Sequence, residues 1–245
     1  MSLSLDEKKI ALQLNFQEEV LLMLKENTQA QLHKVTIEKA IPENERSNFY
    51  LDEQAFPGRI IFKQKITEYQ DYVLKFIVEG VSAIGHLSKI RELIAEFQSA
   101  LLLEGYLLFA TEYKQTENQG KAILIKSYNS YDILTIQLTN GANYNITNHD
   151  IVHLLEQWAK FCAFQIIGAD FDWLELQFQT LPDNLNAFAQ EIYEFCPNIL
   201  TQGYIGESLS EDASIEDWEE ALDNQTIEDL AEFLQKTKTL FLWWD

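Results

Sequence analysis

Apolar residues along the chain follow two periods, and the order of those periods predicts the elements. Between Asp6 and Asn27, the residues Ile10, Leu14, Val20, Leu21 and Leu24 can share one side of an amphipathic helix. His33 to Ile41 has the make-up of a strand ended by Pro42, and the polar run Glu43 to Asn48 reads as a loop. After Pro57-Gly58, Arg59 to Phe62 and then Tyr72 to Val78 are read as short strands. Gly80 to Ser88 is read as a turn into a helix, along which Ile90, Leu93, Ile94, Phe97, Leu101 and Leu102 recur at helical spacing up to Gly105. Tyr106 to Ala110 and Ala122 to Ile125 then make an antiparallel hairpin across a polar loop around Gly120.

The stretch Ile146 to Pro197 carries the strongest local signals. Thr147 with Asp150 three residues on forms a capping box, stapled by Ile146 and Ile151. Ile151, Leu154, Leu155, Trp158 and Cys162 define one buried helical face. Phe164 to Ile167 reads as a strand, Gly168 as a bend, and Asp172 to Phe178 as a strand with Leu174, Leu176 and Phe178 on one face. A second helix follows Pro182 with Asp183 as cap, buries Leu185, Phe188, Ile192 and Phe195, and stops before Pro197. The last residues, Leu240 to Asp245, add a closing strand. Helices alternating with hairpins predict an α+β fold, a mostly antiparallel sheet with packed helices in a two-layer sandwich. The expected division is an N-terminal region over 1–104 and a C-terminal α+β domain over 105–245.

Several ordered motifs in this half resemble a known family. The runs Ile167 to Trp173, Tyr193 to Pro197, Gln202-Gly203 and Leu242 to Asp245, with Tyr131 to Leu134 and Thr139 to Gly141 upstream, are similar to the bacterial family catalogued as domain of unknown function 4253. After Gly203 the short link usual in that family is replaced by a longer acidic segment. The resemblance implies no assigned activity, substrate or cofactor.

Charge narrows the function classes. The formal net charge is -21, and from Phe161 to Gln235 there is no Lys or Arg while seventeen carboxylates occur. Nucleic-acid affinity rests on cations that neutralise phosphates, so this half would repel nucleic acid, and an anionic membrane surface as well. The first residues lack a basic segment followed by an apolar core, and no apolar run approaches the ~20 residues of a membrane span. Cys162 and Cys196 sit on apolar helix faces without metal spacing, which suits reduced core thiols and a cytoplasmic protein.

Candidate chemistry is thin. His149 and His153 stand four apart on a helix, near the zinc-protease pattern, but Asp150 replaces the catalytic Glu and is already a capping residue. Gly80 to Ser88 outlines a phosphate loop, yet His86 and Leu87 replace its Lys and Ser or Thr. Asp170 and Asp172 alternate along a predicted strand, so both carboxylates could project from one face toward a cation or act as an acid/base pair. Trp243 and Trp244 must point to opposite faces of the closing strand, one into the core and one toward a covering element or ligand. The candidate binding residues are therefore Asp170, Asp172, Trp173, Gln202, Trp243, Trp244 and Asp245, with Glu216, Asp217, Glu219 and Glu220 as an acidic docking surface beside Trp218. No catalytic residue, metal or cofactor is assigned. The favoured expectation is a non-catalytic interaction module whose acidic half docks a basic protein. The alternatives are a metal-assisted hydrolase built on Asp170, Asp172 and Asp245, and a structural or oligomeric component that uses residues 6–27 as a contact helix.

Overall fold

A computed structural model describes residues 1–50, 60–65, 72–201 and 225–244. Pro57-Gly58, Gln202, Asp245 and the segment with Glu216, Asp217, Trp218, Glu219 and Glu220 lie outside the described residues. The strands are β1 (His33–Pro42), β2 (Ile60–Lys65), β3 (Tyr72–His86), β4 (Tyr106–Lys114), β5 (Gln119–Lys126), β6 (Ala163–Ala169), β7 (Trp173–Thr180) and β8 (Thr239–Trp243). The described helices are α1 (Leu5–Leu14), α2 (Glu18–Thr28), α3 (Leu87–Leu103), α4 (Asp132–Gln137), α5 (Asn148–Trp158), α6 (Leu185–Phe195) and α7 (Ile227–Thr237).

All eight strands join one sheet in the order β1-β3-β5-β4-β6-β7-β8, with β2 also on β3. Every pairing is antiparallel except β4 with β6, where Ala110 lies opposite Gly168. The α+β class therefore holds, with a mostly antiparallel sheet. Alternation along each strand feeds a core on either side. Leu107 and Phe109 of β4 join Leu174, Leu176, Phe178 and the faces of α4 to α7, while Tyr106, Leu108 and Ala110 join α1, α2 and α3. Helices thus cover both faces, and the sheet is the middle of three layers, where two layers were expected. One sheet also runs through both halves of the chain, because β3 pairs with β5.

Local signals behave as their hydrogen bonds require. Thr147 caps α5, its hydroxyl accepting from the Asp150 amide at 3.1 Å while the Asp150 carboxylate accepts from the Thr147 amide at 2.8 Å. Leu174, Leu176 and Phe178 are all buried on one face. In α6 the cap is Asn184, one residue later than expected, with its side chain accepting from the Ala187 amide.

Three expectations are corrected. Residues 6–27 form two helices, because Asn15 adopts the left-handed conformation at φ 53° and closes α1. Glu43 to Asn48 forms a 3-10 turn, not an irregular loop. Gly80 to His86 is the second half of β3, not a turn, and its glycine permits close pairing: a Cβ on Gly80 would stand 2.5 Å from the Leu124 carbonyl oxygen.

The N-terminal helices are tied to the sheet by one carboxylate. Glu7 is 1% exposed and accepts from Lys25 Nζ at 2.6 Å, from the Ser4 amide at 2.6 Å and from the Leu32 amide at 3.2 Å. Burial alone would raise its pKa, but these donors hold it down at about 2. A depressed carboxylate adds stability above its unfolded pKa of about 4.3 and loses it as the pH falls through the folded value. Wild type should therefore be more stable than Glu7→Gln at pH 7 by on the order of 3 kcal/mol, with the gap closing between about pH 4.5 and pH 2. Parallel melting curves of the two proteins across that range would contradict this.

Candidate functional site

The alternation that sends Leu174, Leu176, Leu240 and Leu242 into the core turns Trp173, Glu175, Phe241 and Trp243 to the other face. Trp173 pairs directly with Trp243, and Glu175 with Phe241. Phe241 and Trp243 remain half-buried there, Glu175 is 6% exposed and Trp173 is buried. The end of β4 supplies the covering ring. Tyr113 lies 4.3 Å from Trp173 and 6.4 Å from Phe241, centroid to centroid, and Trp173 stacks on Phe241 at 5.3 Å with 20° between planes.

A backbone irregularity aims Tyr113. The β4–β5 register shifts between Thr111 and Lys114, and Glu112 takes a left-handed φ of 52°. Asp170 stabilises this bulge, accepting from Thr111 Oγ1 at 3.0 Å and from the Glu112 amide at 3.3 Å, while its other oxygen accepts from the Phe171 amide at 2.9 Å. Beneath the ring, the Tyr113 hydroxyl donates to Glu175 Oε2, and Arg91 Nε of α3 lies 2.7 Å from Glu175 Oε1. The Arg91 guanidinium sits 5.1 Å from the Tyr113 ring centre. Burial works against the Arg91 charge, yet the Glu175 carboxylate overrides it and raises the guanidinium pKa; burial and the same carboxylate push Tyr113 well above its ordinary value. The Tyr113 hydroxyl, the Glu175 carboxylate and the Arg91 guanidinium thus form a brace that joins β4, β7 and α3.

Asp172 faces the open side. Its Oδ2 accepts from Trp243 Nε1 at 3.1 Å, and its carbonyl accepts from the Trp244 amide at 2.9 Å. Tyr113, Lys114, Thr116, Glu117, Asp172, Trp173, Phe241 and Trp243 line a cleft of about 560 Å³. A second cavity of about 440 Å³, with Arg91, Glu175, Leu230 and Phe233 among its walls, meets the first at Phe241.

Cys162 and Cys196 are buried, and burial raises each thiol to about 11, far from the thiolate a nucleophile needs. The His149 and His153 rings stand 6.4 Å apart on exposed positions of α5. Among the described residues no group of three or more His, Cys, Asp and Glu could hold a metal.

The structure brings Asp170, Asp172, Trp173 and Trp243 together, although both aspartates lie in the β6–β7 connection and not on a strand as expected. Trp244 goes to the core at 2% exposure, its Nε1 donating to the Phe195 carbonyl at 3.3 Å. Gln202 and Asp245 lie outside the described residues. Sequence reasoning missed Arg91, Tyr113, Glu175 and Phe241. Two signals pointed to them: Glu175 is a lone charge between buried leucines, and Phe241 stands two residues from Trp243.

A family model described as a domain of unknown function (DUF4253) matches residues 121–245, half of the chain. The chain belongs to the DUF4253 family. No curated protein and no solved structure matches it. The DUF4253 portion begins within β5 and contains Asp170, Asp172, Trp173, Glu175, Phe241 and Trp243, whereas Arg91 and Tyr113 come from the preceding residues. The aromatic cluster is therefore assembled from the DUF4253 strands together with Arg91 and Tyr113 from outside the match. Among the described residues no helix is long and apolar enough to cross a membrane.

Proposed function

We propose that the protein is a non-catalytic binding module whose acidic C-terminal half docks a basic protein partner. The observation that carries this reading is the cleft, where aromatic rings stand beside Asp172, which has no ion-pair partner among the described residues. Aromatic surface rimmed by uncompensated carboxylates favours a cationic partner, and the seventeen carboxylates between Phe161 and Gln235 would steer its approach. The metal-assisted alternative would need its carboxylates free to hold a cation. Asp170 and Glu175 instead spend their oxygens on internal donors.

Salt separates docking from simple solubility. A complex captured at low ionic strength should be lost as the Debye length falls to about 3 Å near ~1 M salt. Changing Glu216→Gln, Asp217→Asn, Glu219→Gln and Glu220→Gln together should slow association with the captured basic protein and leave the melting temperature within a few degrees. Equal association rates, or no partner at any salt, would refute the docking reading.

A further inference from the structure

Resting on that reading, we infer that the cleft over Trp173 and Trp243 is the point where an arginine side chain of the basic partner inserts. Trp173 is buried against Tyr113 and Phe241 and backs the cleft, and the half-buried rings of Phe241 and Trp243 supply the aromatic surface that borders its open space. Guanidinium groups stack on such faces, drawn by the ring quadrupole, and they are more weakly hydrated than an ammonium. The protein makes the same contact internally, where Arg91 lies over Tyr113.

The charge balance at the cleft calls for a cation. Glu175 is answered by Arg91 at 2.7 Å, and Glu117 by Lys114 at 3.5 Å. Of the two carboxylates that line the cleft, Glu117 is answered by Lys114, which leaves Asp172 without an ion-pair partner among the described residues. The oxygens of Asp170 serve the β4 bulge. Asp172 gives Oδ2 to the Trp243 indole and lines the cleft, so its carboxylate is the acceptor that the arginine would meet there. The cleft volume of about 560 Å³ falls within the range of small-group sites, and its wall combines aromatic rings with the polar side chains of Lys114, Thr116, Glu117 and Asp172.

The test is a fluorescence titration of the full chain with an acetylated hexa-arginine peptide at low salt, with hexa-lysine and hexa-glutamine peptides alongside. Hexa-arginine should bind tightest, hexa-lysine several-fold more weakly, and hexa-glutamine should not bind. Asp172→Asn keeps an acceptor for Trp243 but removes the charge, and it should weaken hexa-arginine at least about tenfold. Trp243→Leu should do the same, and Trp243→Phe, which preserves more of the packing, should lose less; melting curves confirm that each variant is folded. If the cleft variants bind hexa-arginine like wild type while the variant neutralised at Glu216, Asp217, Glu219 and Glu220 does not, the cleft assignment is wrong and the docking module stands. If wild type binds no cationic peptide, both are wrong. Salt-insensitive binding that ignores Asp172→Asn would overturn the arginine assignment in favour of an apolar ligand.

Discussion

Leu176→Asp should leave no cooperatively folded protein. Leu176 is 0% exposed at the middle of β7, between Ile166 of β6 and Leu240 of β8, in the core shared with α4 to α7. The change removes a leucine's packing and places a carboxylate where no donor or cation is available. Each effect is worth several kcal/mol, and together they approach the 5–15 kcal/mol that typically separates folded from unfolded states. Circular dichroism should show a melting transition lowered by tens of degrees or absent. A soluble variant with the wild-type melting temperature would mean that the inward face of β7 has been wrongly assigned.

Gly168→Ala is expected to have the second largest effect, because it acts where the sheet is thinnest. The parallel link of β4 to β6 rests on Ala110 opposite Gly168, and it joins β1 to β5 with β6 to β8. A Cβ on Gly168 would stand 2.5 Å from the Ala110 carbonyl oxygen and 3.0 Å from the Tyr113 hydroxyl. The first contact is with backbone, which cannot rotate away, so the strands must part. The second displaces Tyr113 from Glu175. A loss of about 3 kcal/mol follows, read as a fall of roughly 6–12 °C in melting temperature for a chain of this size. Loss of hexa-arginine binding should accompany it, whereas an alanine accepted without change would show that the two groups of strands are not packed as closely as described.

What could be read from the sequence was what neighbours along the chain decide. The Thr147–Asp150 box is made by residues three apart, and the burial of Leu174, Leu176 and Phe178 follows from strand alternation, so both were legible. Residues 6–27 looked like one helix because Leu14 and Val20 extend its apolar side, but Asn15 tolerates the left-handed turn that lets α2 fold back. Gly80 and Gly85 looked like turn residues, while their role is tertiary: Gly80 admits the β5 backbone. Helix α4 was missed because all of its residues are buried and no polar face marks a period.

The candidate site divides in the same way. Trp243 and Trp244 had to face opposite ways on any strand, and they do, with Trp244 in the core. The Asp170 and Asp172 pair was placed on a strand because alternation was the only available pattern, whereas Asp170 serves the β4 bulge at Thr111, 59 residues earlier in the chain. The Arg91, Tyr113 and Glu175 brace joins residues from α3, β4 and β7, and no local spacing could have announced it.

Hydrogen exchange of the full chain, with and without the hexa-arginine peptide, locates the docking surface directly. The peptide should slow exchange in the segments that carry the cleft, residues 111–118, 170–175 and 239–243, and this protection should fade as salt is raised. Protection confined to other segments, or exchange unchanged by the peptide at low salt, would contradict it.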